Sequence, residues 1–134
     1  MIWLIGSGEM AADYMKVLVA QNVKLLVIGR GAKSAAKFSS DTGLSVISGG
    51  LEKFLSTKPD LPDAVIVCVG VEQLAATTIE LLNYGIKKVL VEKPAGLNSL
   101  EIAQVSELAE KKTAAIFVAY NRRFFSSVLT AETI

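Results

Sequence analysis

Three short stretches hold residue types that could do chemistry together. Gly6-Ser7-Gly8-Glu9-Met10-Ala11 reads G-x-G-x-x-A. In that pattern Gly6 allows a tight turn, Gly8 lets backbone approach a pyrophosphate, and the small Ala11 permits a helix to pack closely on a sheet. The helix that follows would aim free N–H groups and the positive end of its dipole at the anion. Ile28-Gly29-Arg30-Gly31-Ala32-Lys33-Ser34 has a guanidinium where an NAD site usually holds a carboxylate for the ribose 2′-hydroxyl. Arg30, with Lys33 and Ser34 close by, suits a 2′-phosphate instead, which favours NADP and leaves NAD possible. Val91-Glu92-Lys93-Pro94 sets an acid and a lysine directly behind an apolar run. Each stretch also has a plainer reading: a structural glycine turn, a solvated loop arginine, a charged strand end.

Positioning these residues requires strands that end at one edge. Apolar runs at 2–5, 24–28, 44–47, 64–69, 88–91 and 114–119 are rich in Val, Ile and Leu and do not alternate with polar residues. Strands buried on both faces look like this. Helical spacing separates them. Met10, Tyr14, Val17 and Leu18 mark one face of the first helix, 32–42 forms a second and 51–56 a short third. Residues 72–84 carry Leu74, Ala75, Thr78, Leu81 and Leu82, then Gly85 as a terminating glycine. Asn98 and Glu101 resemble a capping box, followed by the stripe Ile102, Val105, Leu108 and Ala109. Strand–helix alternation of this kind predicts one α/β domain. Its expected form is a Rossmann-type doubly wound parallel sheet between helices, in strand order 3-2-1-4-5-6. Lys93 then falls at the C-terminal end of a parallel strand, the edge where such sheets bind ligands.

The totals narrow the function. With 134 residues, 51% hydrophobic and 20% charged, the chain can bury a core. A net charge of +1 argues against nucleic acid and an acidic membrane surface as partners. One cysteine, Cys68, excludes an intrachain disulfide and a cysteine metal cluster, and it reads as a small buried hydrophobe. No histidine is present, which removes the commonest metal ligand and general base, so no metal is expected. No run approaches the length of a membrane span, and the five residues before Gly6 are too few for a signal peptide. A soluble cytoplasmic protein is the expectation.

The glycine motif, the helix ending Tyr84-Gly85, Val89-Leu90-Val91-Glu92-Lys93-Pro94 and Tyr120-Asn121-Arg122-Arg123-Phe124 together resemble the Gfo/Idh/MocA family, the glucose–fructose oxidoreductase and inositol dehydrogenase type. The likeness covers essentially the whole chain and matches that family's N-terminal half. It implies that Lys93 projects towards the nicotinamide and substrate hydroxyl as the catalytic residue. It implies that Glu92 contacts the cofactor near its nicotinamide ribose, and that Pro94 fixes the turn, commonly through a cis bond. Gly6, Ser7, Gly8, Glu9, Met10, Arg30, Val69, Gly70, Glu92, Lys93, Asn121 and Arg122 become the expected cofactor-binding residues. Val69-Gly70-Val71 departs from the Thr-Pro common in the family at this place, and the usual histidine of the next helix is missing.

Such proteins continue into a second α/β domain that supplies most of the substrate pocket and a general base. Residues 1–124 are therefore expected to be the dinucleotide-binding domain, and 125–134 the start of a helix leading towards a substrate domain absent from this chain. The expected function is the NADP(H)-binding domain of an oxidoreductase acting on a sugar or cyclic polyol, largely inactive alone. The resemblance implies that relatives usually associate through the second domain, which leaves a homo-oligomer open by that route and the oligomeric state of this chain unread. The alternative is a non-catalytic module that binds or senses a dinucleotide.

Overall fold

The computed structural model describes residues 1–131. β1 (Ile2–Ile5) enters the sheet, α1 (Glu9–Ala20) returns, and β2 (Leu25–Gly29), α2 (Ala32–Thr42) and β3 (Val46–Ser48) build one half. α3 (Gly50–Ser56) crosses over to β4 (Ala64–Val67), followed by α4 (Leu74–Tyr84), β5 (Lys88–Val91), α5 (Ser99–Lys111) and β6 (Ala115–Val118). α6 (Ser126–Ala131) closes the described chain. All six strands are parallel, in the order β3-β2-β1-β4-β5-β6, as the alternation predicts. The order reverses between β1 and β4, where Ile5 pairs with Val67.

Alternate residues of β1 feed two cores, because successive side chains leave a strand on opposite faces. Trp3 packs with Val65, Val89, Phe54 and Leu81 on one face, while Leu4 joins Ala11, Met15, Leu18 and Phe38 on the other. The Trp3 ring meets Phe54 edge-on, with centroids 4.8 Å apart. Its indole N–H has no hydrogen-bond partner among the described residues.

Four expectations need correction. The buried stripe of α1 is Ala11, Met15 and Leu18, whereas Met10 and Val17 are 45% and 55% exposed. Both sets run at i, i+4 and i+7, so periodicity alone selects neither. In α5 only Val105 and Ala109 of the expected stripe are buried, and Ile102 is exposed. The fourth strand ends at Val67 rather than Val69, and a short 3₁₀ turn, Val71–Gln73, precedes α4. Finally, β3 and β6 are edge strands, and each leaves residues in solvent, Phe117 most of all.

The predicted caps hold with one change. Gly85 ends α4 in the left-handed region. Asn98 caps α5 by accepting from the Glu101 N–H at 3.0 Å, but Glu101 Oε2 accepts from the N–H of Leu97, not of Asn98. The sequence tail 132–134, expected to extend the last helix, lies outside the described residues.

Candidate dinucleotide-binding site

The turn after β1 is held by geometry that admits only glycine at Gly6. Its N–H donates to the Ile28 carbonyl at 2.8 Å, and its φ of +125° lies where side chains are strained. A Cβ there would stand 2.5 Å from the Cys68 carbonyl oxygen. Gly8 differs. It caps α1 without a side-chain hydrogen bond, and a Cβ built on it meets nothing within 4 Å. The first helical bond runs from the Ala12 N–H to the Gly8 carbonyl, so the N–H groups of Glu9, Met10 and Ala11 have no helical acceptor. An open cradle beneath unpaired amides at the positive end of a 12-residue helix fits a pyrophosphate.

Beside this cradle, Ser7 Oγ donates to Ser34 Oγ at 3.2 Å, and Ser34 donates to the Gly31 carbonyl at 3.0 Å. Gly29 must be small for the two turns to cross: a Cβ there would lie 2.8 Å from Ser7 Oγ. Arg30 leaves the end of β2 and enters a cleft of about 350 Å³ whose walls include Gly49, Val69, Gln73, Thr77 and Glu80. The Gln73 amide is satisfied with its oxygen towards Arg30, accepting from Nη1 and Nη2 at 2.6 Å each. No carboxylate ends β2, but Glu52 and Glu80 also line the cleft. Burial, then the charge of Glu52, raises the Glu80 carboxyl above its ordinary range.

The other end of the edge is built on β5. Glu92 continues the sheet by donating its N–H to the Val67 carbonyl at 2.9 Å. The Lys93–Pro94 bond is cis, and the Ala95 N–H donates back to the Glu92 carbonyl at 2.9 Å, which turns the chain sharply. Lys93 is exposed and makes no side-chain hydrogen bond or ion pair among the described residues. Glu92 Oε1 accepts from the Tyr14 hydroxyl at 2.6 Å. Burial first, then this bond and the carboxylate charge, raise the Tyr14 phenol above its ordinary value. Cys68, buried between them and the glycine turn, donates to the Ile5 carbonyl at 3.3 Å, and burial pushes its thiol up to about 12.

The fold thus lines up the glycine turn, Val69-Gly70 and Glu92-Lys93 on the adjacent ends of β1, β4 and β5. At about 4.8 Å per strand, Lys93 stands about 10 Å across from Gly6. Asn121 and Arg122 lie one strand further out, exposed in the 3₁₀ turn Asn121–Phe124 after β6. Met10 is exposed beside the cradle.

The model of the Gfo/Idh/MocA oxidoreductases, described as an oxidoreductase family with an NAD-binding Rossmann fold, matches residues 1–120. The chain belongs to that family. Its matched part is the NAD-binding domain. No curated protein matches the chain in sequence. Among solved structures, the Gfo/Idh/MocA chain is similar to the WlbA dehydrogenase of Chromobacterium violaceum, determined with NADH and UDP-GlcNAcA. That match has a TM-score of 0.85 at 20% identity and covers 98% of this chain and 38% of the other. The myo-inositol 2-dehydrogenase of Lactobacillus plantarum matches with a TM-score of 0.80 at 21% identity, over 99% and 40%. The biliverdin reductase of Synechocystis sp. PCC 6803, determined with biliverdin and NADP⁺, matches with a TM-score of 0.81 at 19% identity, over 98% and 41%. The chain therefore spans about two fifths of each.

Sequence reasoning missed Tyr14 and Gln73. Tyr14 sat in an apolar stripe, and only the fold brings its hydroxyl to a residue 78 positions away. Gln73 carried no signal at all, being one polar residue in a helix start. Among the described residues, no group of three or more His, Cys, Asp or Glu could hold a metal ion, and no helix is long and apolar enough to cross a membrane.

Proposed function

We propose that this chain is the NADP(H)-binding domain of an enzyme that moves hydride between a nicotinamide cofactor and a CH–OH group of a sugar or cyclic polyol. The observation that carries the reading is the open Gly8 cradle at the start of α1, in line with Lys93 on the same sheet edge. In this reading Gly6, Ser7, Gly8, Glu9 and Met10 surround the pyrophosphate, and Arg30 pairs with a 2′-phosphate. Val69 and Gly70 flank the cofactor, with Glu92, Asn121 and Arg122 towards its nicotinamide end. Residues 1–124 are the cofactor unit and 125–134 the lead into a substrate domain. Two similar proteins support the substrate class by what their structures or names carry, UDP-GlcNAcA and myo-inositol. The bound cofactors of similar proteins include both NADH and NADP⁺, so the preference rests on Arg30.

The nicotinamide ring, when bound, supplies the chemistry of accepting or giving a hydride at carbon. Lys93 does the polar part. Its ammonium donates to the substrate oxygen, stabilising charge there as the carbon gains or loses hydride. For oxidation the hydroxyl proton must leave to a base as the C–H pair leaves with its two electrons. A lysine ammonium has no lone pair with which to take that proton, and the chain has no histidine. The proton therefore passes to a group of the substrate domain.

Trp3 is the one tryptophan, so NADPH and NADH can each be titrated by energy transfer from it. The expected result is saturable binding with NADPH tighter, the preference disappearing in Arg30→Ala. Equal affinities in the unmodified chain would remove the 2′-phosphate assignment. In the protein joined to a substrate domain, Lys93→Ala should lower kcat by about 100-fold or more. Retained turnover would favour the non-catalytic binding module.

A further inference from the structure

The Arg30 guanidinium is already engaged. With the Gln73 amide turned so that its oxygen faces Arg30, two of the five N–H donors go to that oxygen, each at 2.6 Å, in the cleft that the end of β2 shares with α4. The aliphatic stem lies along Gly50, where an added Cβ would touch Arg30 Cγ at 3.5 Å. Ser34, the hydroxyl beside the start of α2, lines a different hollow of about 210 Å³ together with Ser7 and Gly8. Arg30 does not line that hollow. Its charged head thus sits in the cleft with Gln73 and not in the hollow of Ser7 and Ser34.

We infer that Gln73 is a specificity-determining residue that competes with the cofactor's 2′-phosphate for Arg30. The inference rests on the NADP(H) reading above. A phosphate offers the guanidinium charged acceptors in place of a neutral amide, so it wins the exchange, but the Gln73 bonds are lost in making it. A cofactor with a 2′-hydroxyl has nothing to draw the guanidinium back. It leaves the clasp in place and its adenine stacks on the planar head. Gln73 therefore taxes NADP(H) and spares NAD(H), tempering the preference that Arg30 creates.

The test is a titration of the chain with NADPH and NADH, with Gln73→Ala and the similarly shaped Gln73→Met, read by Trp3 energy transfer and by calorimetry. Both substitutions remove the amide acceptor, and Gln73 is only half-buried, so the fold should survive. Losing the acceptor that both Arg30 donors share predicts about fivefold or greater tightening of NADPH, with NADH within about twofold. In an Arg30→Ala background the same substitutions should change neither cofactor. Equal tightening of both cofactors would overturn the inference, making Gln73 a general latch on the cleft. Unchanged or weaker NADPH binding would overturn it too, as would an effect that persists without Arg30. A different pattern, in which Arg30→Ala alone leaves both affinities unchanged, would overturn the NADP(H) reading beneath it.

Discussion

Tyr14 donates its phenolic hydrogen to Glu92 Oε1 at 2.6 Å and so ties the helix behind the glycine turn to the turn that carries Lys93. The bond spans the switch point of the sheet, with α1 on one side and the end of β5 on the other. A carboxylate acceptor makes it stronger than a neutral pair, and it fixes which Glu92 oxygen is left unbound. Tyr14→Phe keeps the ring and removes the bond. The expected cost is about 1 kcal/mol, discounted for half-exposure, and it should appear as a lower urea midpoint with an unchanged slope. Because the folded phenol titrates above its ordinary value of 10.0, its contribution is full below pH 10 and falls as pH rises beyond it. Tyr14→Phe should lose that alkaline dependence. An unchanged midpoint would mean that the bond is not made in solution.

Cys68 gives a second alkaline signature. Burial first, then the charge of Glu92, pushes its thiol from 9.0 up to about 12. The folded chain keeps the proton while the unfolded chain releases it. Stability from this group is therefore complete below pH 9 and drains between pH 9 and about 12. Cys68→Ala should flatten stability over that interval even as the lost sulfur lowers it overall. At pH 8 a thiol reagent should label Cys68 only as fast as the chain opens, and rapid labelling of the folded protein would contradict the burial.

Lys93 should be dispensable for folding. It is exposed and free of side-chain partners among the described residues, so Lys93→Met is expected to change stability by no more than about 0.5 kcal/mol. Thermal unfolding of the two chains checks this. A loss well above 1 kcal/mol would show that the lysine holds its turn rather than waiting on a ligand.

The layout was legible because it rests on local signals. The six strands, Gly85 and Asn98 each announce themselves by runs or caps of a few residues, and parallel pairing with right-handed crossovers does the rest. What escaped was whatever depended on rotation or distance. The buried side of α1 is decided by how the helix rolls on β1 and β4, a choice between two adjacent stripes of equal period. The partners Tyr14–Glu92 and Arg30–Gln73 sit on different crossovers, so no spacing along the chain could pair them.

Gly6 and Gly8 lie two positions apart yet should fail in opposite ways. At Gly6 an added methyl meets the Cys68 carbonyl at 2.5 Å, in a left-handed backbone region. Strain and clash together predict a loss of roughly 3 kcal/mol or more for Gly6→Ala. At Gly8 the backbone already has a negative φ of −90°, and the methyl would enter open space. Gly8→Ala should cost under about 1 kcal/mol, the difference between glycine and alanine as a helix cap. That same methyl occupies the space through which a pyrophosphate reaches the amides of α1. Losing even one such contact should weaken dinucleotide binding about tenfold or more. Urea melts and cofactor titrations of both variants separate the two effects. If Gly8→Ala bound the dinucleotide as tightly as the unmodified chain, the pyrophosphate would have to be held elsewhere.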